Sequence, residues 1–169
     1  MTQAGDAASA GAARTAAAGA ASAPVASARL AIGLGCDRGT PETTVEACLR
    51  EPLAQAGAQI AQVAVAASIE AKHDEAAFLS LAARHGWPLR WYAAAQLAAV
   101  RVPNPSETVL RYMGTPSVSE AAALLAAGAA DASALLVEKH RLRGADGRHA
   151  TVSIARIPQA PQGTSDSGG

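Results

Sequence analysis

The chain has 169 residues, 14 basic and 14 acidic side chains, and a pI near 6.9. That balance gives neither nucleic acid nor an anionic membrane surface much to attract, and excludes both as dedicated partners. Aromatic residues make up only 3% of a half-hydrophobic composition, so any core must be aliphatic and rich in alanine. No apolar run is long enough to span a bilayer.

Residues 1–28 are mostly Ala, Gly, Ser and Thr and bury too little apolar surface to offset ordering entropy. They are expected to form a disordered leader. Residues 158–169, mostly Pro, Gln, Gly and Ser, are expected to form a disordered tail. One domain of ordinary size remains, residues 29–157.

A first buried strand is predicted over Ala28–Leu34, ending in glycines. Thr40 then serves as cap and Pro41 as first residue of a helix running to Ala56, with Val45, Cys48, Leu49 and Leu53 inward. Pro52 should bend or interrupt that helix, and Gly57 should close it. A second strand, Val63–Ile69, leads into polar residues, of which Asp74 is expected to cap a helix with Phe78, Leu79, Leu81 and Ala82 as its apolar stripe. Gly86 stops it, and Trp87–Tyr92 reads as a third strand.

A short helix runs to Val100, and Asn104-Pro105-Ser106-Glu107 starts another that ends near Gly114. Ser117 and Glu120 have the spacing of a capping box opening a helix to Gly128. Leu135–Lys139 and Ala150–Ile157 form two last strands around the turn signal Asp146-Gly147. Strands alternating with helices and closed by a hairpin imply an α/β fold. It is a single three-layer α/β/α domain whose mostly parallel sheet gains an antiparallel hairpin at its edge.

In such a sheet, ligands sit beyond the carboxyl ends of the strands. The segments that reach that edge are Gly35–Thr40, Glu70–Asp74, Val102–Ser106 and Gly114–Ser119. The candidate binding residues are therefore Gly35, Cys36, Arg38, Gly39 and Thr40 in the first, with Glu70 and Lys72 in the second. Asn104 and Ser106 represent the third, and Gly114, Thr115, Ser117 and Ser119 the fourth. Glycines for close approach, two cations and several helix N-termini suit a ligand with carboxylates or phosphates.

Better-known loops fit less well. A Gly-x-Gly-x-x-Gly dinucleotide loop from Gly33 and Gly35 would need glycine where Arg38 stands, although Glu70 stands where a ribose-binding acid would. A Walker loop lacks its Gly-Lys-Ser/Thr ending. Cys36 beside Arg38 has the setting of an activated nucleophile, but no histidine is placed beside it, and a packing cysteine is the plainer reading. His73, His85, His140 and His149 are scattered, and the two cysteines lack metal-ligand spacing; neither metal nor cofactor is assigned. Two unpaired thiols fit a reducing, cytoplasmic setting. Lys139, His140, Arg141, Arg143 and Arg148 make a basic hairpin tip, ordinarily a solvated turn, with contact to a carboxylated ligand or a partner protein as the alternative.

Four segments, in order, resemble one family: Gly33–Thr40, Ile69–Glu75, Val102–Glu107 and Gly114–Ala123. They are similar to the cobalamin-biosynthesis family comprising CobE and the C-terminal domain of CbiG, over about residues 29–157. Two positions depart from its pattern. Asp37 replaces a usually basic residue, softening the positive character of the loop, and His73 replaces a small one.

The resemblance implies a role in building the corrin ring. Full-length CbiG is a hydrolase that opens a precorrin lactone with release of acetaldehyde, but this chain leaves no room for its additional N-terminal domains. The stand-alone CobE form, tied to the aerobic route, is the implied match. The expected ligand is a corrin or precorrin intermediate fringed with carboxylates, and other corrin-pathway enzymes are candidate partners. Carrier or accessory factor, lactone hydrolase, and structural subunit of a biosynthetic complex are the readings left open.

Overall fold

The structure, a computed structural model, describes residues 24–115, 117–129 and 131–158. The expected leader up to position 23 and the expected tail from position 159 lie outside the described residues. Residues 24–28 correct the leader's boundary. Val25–Ser27 form a 3-10 turn, Ala28 is buried, and Gln62 donates its side-chain amide to Val25 O at 2.6 Å and Ala28 O at 2.9 Å.

Five strands form one sheet in the order β3-β2-β1-β5-β4: β1 Leu30–Cys36, β2 Val63–Ile69, β3 Leu89–Tyr92, β4 Leu135–Arg143 and β5 His149–Arg156. β1, β2 and β3 pair in parallel, and β5 pairs antiparallel to both β1 and β4. Four strands thus point one way and only β5 runs against them. The hairpin joins through β5, leaving β4 at the edge opposite β3. β4 extends four residues beyond the expected Lys139, carrying the basic residues into the ladder up to Arg143, which pairs with His149.

The two sheet faces differ in side-chain size. Leu30, Ile32 and Leu34 of β1 and Val152 and Ile154 of β5 point to the face covered by α1 (Glu42–Gln55) and α2 (Ala76–His85). There they meet Val45, Leu49, Leu53, Phe78 and Leu81. Gly86, in the left-handed region at φ 73°, ends α2 as expected. α1 continues past Pro52, which is buried, so the proline does not interrupt the helix.

The other face presents Ala31, Gly33, Ala67, Ser153 and Ala155, and the alanine-rich α5 (Val118–Ala127) lies directly on it. A Cβ on Gly33 would stand 1.9 Å from Ser119 O and 2.7 Å from Ala123 N. Only glycine admits so close a backbone approach. α5 is apolar almost all round because α3 (Ala94–Ala98) and α4 (Glu107–Met113) flank it, with Leu97, Val109 and Met113 in the same cluster as Val118, Ala121 and Ala122. Small residues on both partners bring the start of α5 against the sheet.

Candidate functional site

Several expected caps do other work in the structure. The residue before α1 is Pro41, not Thr40; the Thr40 hydroxyl donates to Asp37 O at 2.6 Å. Glu75, not Asp74, precedes α2, and Asp74 pairs with Arg38 at 2.8 Å. α4 is capped by Ser106, whose hydroxyl accepts from Val109 N at 3.2 Å, while Asn104 faces α5.

The capping box at α5 does not form. Ser117 precedes the helix with no side-chain bond to it, and its buried hydroxyl and that of Thr115 have no partner among the described residues. The Glu120 carboxylate, fully buried, turns away from the helix end. It accepts from Asn104 N at 3.1 Å, Asn104 Nδ2 at 2.7 Å and Lys139 N at 2.9 Å. A buried carboxylate finds donors wherever they stand, and here they lie on a neighbouring loop and strand.

A cleft of about 380 Å³ opens at the carboxyl ends of β1 and β2, within the usual range of small-ligand sites. Gly35, Cys36, Asp37 and Arg38 line it from the end of β1, and Ile69 and Lys72 from the end of β2. Val118 and Ser119 come from the start of α5. The hairpin gives Lys139, Arg141, His149 and Thr151, and α4 gives Thr108, Val109, Tyr112 and Met113.

Five of the expected residues are therefore brought together: Gly35, Cys36, Arg38, Lys72 and Ser119. Gly39, Thr40, Asn104, Ser106, Gly114, Thr115 and Ser117 are not part of this lining, and Glu70 faces a separate shallow depression with His73, Asp74 and Trp91. The α4 face was missed as a site, and the hairpin cations stood only as the alternative to a solvated turn. The hairpin left a signal, since Lys139 and Arg141 are two apart on a strand and share a face. The helix was legible, but which face met the cleft was not.

Charge at the mouth is divided between bound and available cations. Arg38 is committed: it reaches Asp74, Ala71 O at 2.9 Å, and Glu75 at 3.3 Å. Glu75, nearly fully buried, also accepts from Gly39 N at 3.0 Å, so an internal carboxylate already occupies the donors this loop was expected to offer a ligand. Lys72 is buried along its stem with its ammonium 4.0 Å from Glu75. Lys139 donates to Asn104 O at 3.1 Å; burial holds its pKa below the ordinary lysine value, with Arg141 adding to that and Glu120 opposing it. Arg141 has no carboxylate within ion-pair distance among the described residues.

Burial pushes the Cys36 thiol up to about 11, and the Glu75 carboxylate adds to it, outweighing Lys72. It stays a thiol at neutral pH, which counts against a nucleophilic role. His149 and Asp37 meet at the lip, Nδ1 to Oδ2 at 3.4 Å, with His149 N donating to the same oxygen at 2.8 Å.

The chain is similar to known proteins in sequence and fold. The family model described as "Cobalamin synthesis G C-terminus" matches residues 30–155. The chain belongs to that family. Within it, the chain is 39% identical over 132 residues to Protein CobE of Sinorhizobium sp, covering 77% of this chain and 81% of that one. It is 36% identical over 129 residues to the Cobalt-precorrin-5A hydrolase of Priestia megaterium, but spans only 32% of that protein's length. The crystal structure of a CobE from the cobalamin (vitamin B12) biosynthetic pathway superposes with a TM-score of 0.68 at 32% identity, covering 85% of this chain and all of that one. Membership of this family assigns the chain to cobalamin biosynthesis. Among the described residues, no helix is long and apolar enough to cross a membrane.

Proposed function

We propose that the chain binds a carboxylate-rich corrin or precorrin intermediate in the cleft, as a carrier or accessory factor of the aerobic pathway in the cytoplasm. The observation that carries this is the pair of cleft cations with no carboxylate at ion-pair distance among the described residues, Lys139 and Arg141, beside Arg38 and Lys72, which Asp74 and Glu75 already hold. The net charge of the chain is zero, so this excess is local. Cations gathered in a cleft with low-dielectric walls concentrate an anionic ligand there. Acetate and propionate arms of a corrin supply such anions. In this reading the chain passes the intermediate to or from other corrin-pathway enzymes.

A second reading, hydrolysis of a precorrin lactone, draws on His149 and Asp37. Asp37 stands beside the imidazole Nδ1, the arrangement by which a carboxylate orients a general base. The hydrolase relative matches this chain over only 32% of its own length.

Titration of the purified chain with a corrin polycarboxylate such as cobyrinic acid, and with late precorrin intermediates, followed by absorbance, tests both readings. Saturable binding without acetaldehyde release is the expected result. Acetaldehyde release would establish the hydrolase. No binding of any corrinoid would leave a structural subunit of a complex.

A further inference from the structure

Tyr112 is the most exposed large hydrophobic side chain among the described residues, at 75%, and it lines the cleft. Aromatic residues are 3% of this chain, so one left open to solvent at a cleft mouth stands out. It shares a helix face with Thr108, Val109 and Met113, the four α4 residues of the lining, which sit one turn apart. Val109 and Met113 root that face against Ile69, Leu97 and Val118, while no residue of α4 is fully buried. None of the four carries a charge. Every charged residue of the lining comes from the ends of β1 and β2 or from the hairpin.

The cleft is therefore polarised by element: an aromatic and aliphatic helix face, and cations from the sheet edge. A ligand matched to both has a flat apolar body and an anionic fringe. We infer that Tyr112 is a specificity-determining residue, its ring laid against the face of the macrocycle while Lys72, Lys139 and Arg141 take the carboxylate arms. This rests on the corrin-binding reading above. A corrin with its arms exceeds the cleft volume, so one edge enters and the rest of its face lies along exposed α4. Covering an exposed phenol ring removes apolar area from water, and stacking adds to it.

The test uses the full chain and cobyrinic acid as probe, with binding followed by absorbance over a range of salt. Tyr112→Ala should weaken binding about 10- to 100-fold, and Tyr112→Phe should stay within about threefold of the wild type. The thermal midpoint should be unchanged, since the side chain is exposed. The slope of log affinity against log salt should be unaltered in Tyr112→Ala and shallower in Arg141→Ala. Wild-type affinity in Tyr112→Ala overturns the inference while leaving corrin binding standing. Equal losses in the Ala and Phe variants would assign the effect to the hydroxyl and overturn stacking. Failure of the wild type to bind overturns the reading and the inference together.

Discussion

The carboxylate of Glu120 holds Asn104 by both its backbone N–H, at 3.1 Å, and its side-chain amide, at 2.7 Å. Its second oxygen also accepts from Lys139 N at 2.9 Å, so one buried acid joins α5, the loop before α4, and the edge strand β4. Lys139 returns a bond from its ammonium to Asn104 O. Two contributors to the cleft lining, the hairpin and α4, are thereby referenced to the same carboxylate.

Glu120→Ala should cost about 3–5 kcal/mol, the range for removing one member of a buried charged network. Three N–H donors would lose this acceptor, of which the exposed Asn104 amide keeps Glu138 at 3.0 Å. Glu120→Gln keeps the shape and an acceptor oxygen and should lose less than half as much. Urea unfolding checks both, and a cost under about 1 kcal/mol for the alanine variant would show that water reaches the site.

Ser117→Ala should leave stability within about 0.5 kcal/mol of the wild type, where a true N-cap would lose about 0.5–2 kcal/mol. The Ser117 hydroxyl is buried and unpartnered, so its removal leaves no donor orphaned that was satisfied before. A loss above 1 kcal/mol in thermal or urea unfolding would mean that the hydroxyl does bond the helix end.

The contrast between these two residues shows what was legible in the sequence. Local pattern placed the helix start at Ser117 correctly, because backbone conformation there is set by near neighbours. It could not show that Glu120 would be recruited by Asn104 and Lys139, which lie 16 and 19 positions away. The same holds for the β1–α1 loop. Its glycines and Arg38 were visible as anion donors, but not that Glu75, 36 residues on, fills them. The parallel strands and the hairpin were readable from alternation and turn chemistry. The α4 wall was not, because a helix with no fully buried residue gives no strong apolar stripe to orient.

Gly33→Ala should destabilise the fold by about 3 kcal/mol or more, beyond the usual range for overpacking. The added methyl would meet backbone atoms of α5, not a flexible side chain that could swing aside. Because α5 brings Ser119 and Val118 to the cleft, any folded fraction should also bind corrin more weakly. Gly35→Ala is the milder control, since its Cβ would meet only the Thr151 side chain, at 2.5 Å. Equal thermal midpoints for Gly33→Ala and the wild type would mean that α5 does not sit this close.

Arg84 joins α2 to α1 by reaching Glu42 and Glu46, the latter at 2.6 Å. The Ser80 hydroxyl and then Arg84 hold the Glu42 carboxyl below its ordinary 4.5; Arg84 and then Arg50 do the same for Glu46. A depressed folded pKa means that the unfolded chain binds more protons on acidification, so stability falls as the pH falls. The stabilisation is fully present above about pH 4.5 and is lost as pH drops through the lowered folded values. Arg84→Met should therefore be less stable than the wild type at pH 7, with the difference narrowing below pH 4.5 and also in high salt, since these groups are partly solvated. Urea midpoints at pH 7 and pH 3.5, each at low and high salt, check it. A difference that persists undiminished at pH 3.5 would show that Arg84 acts through the packing of its stem and not through its charge.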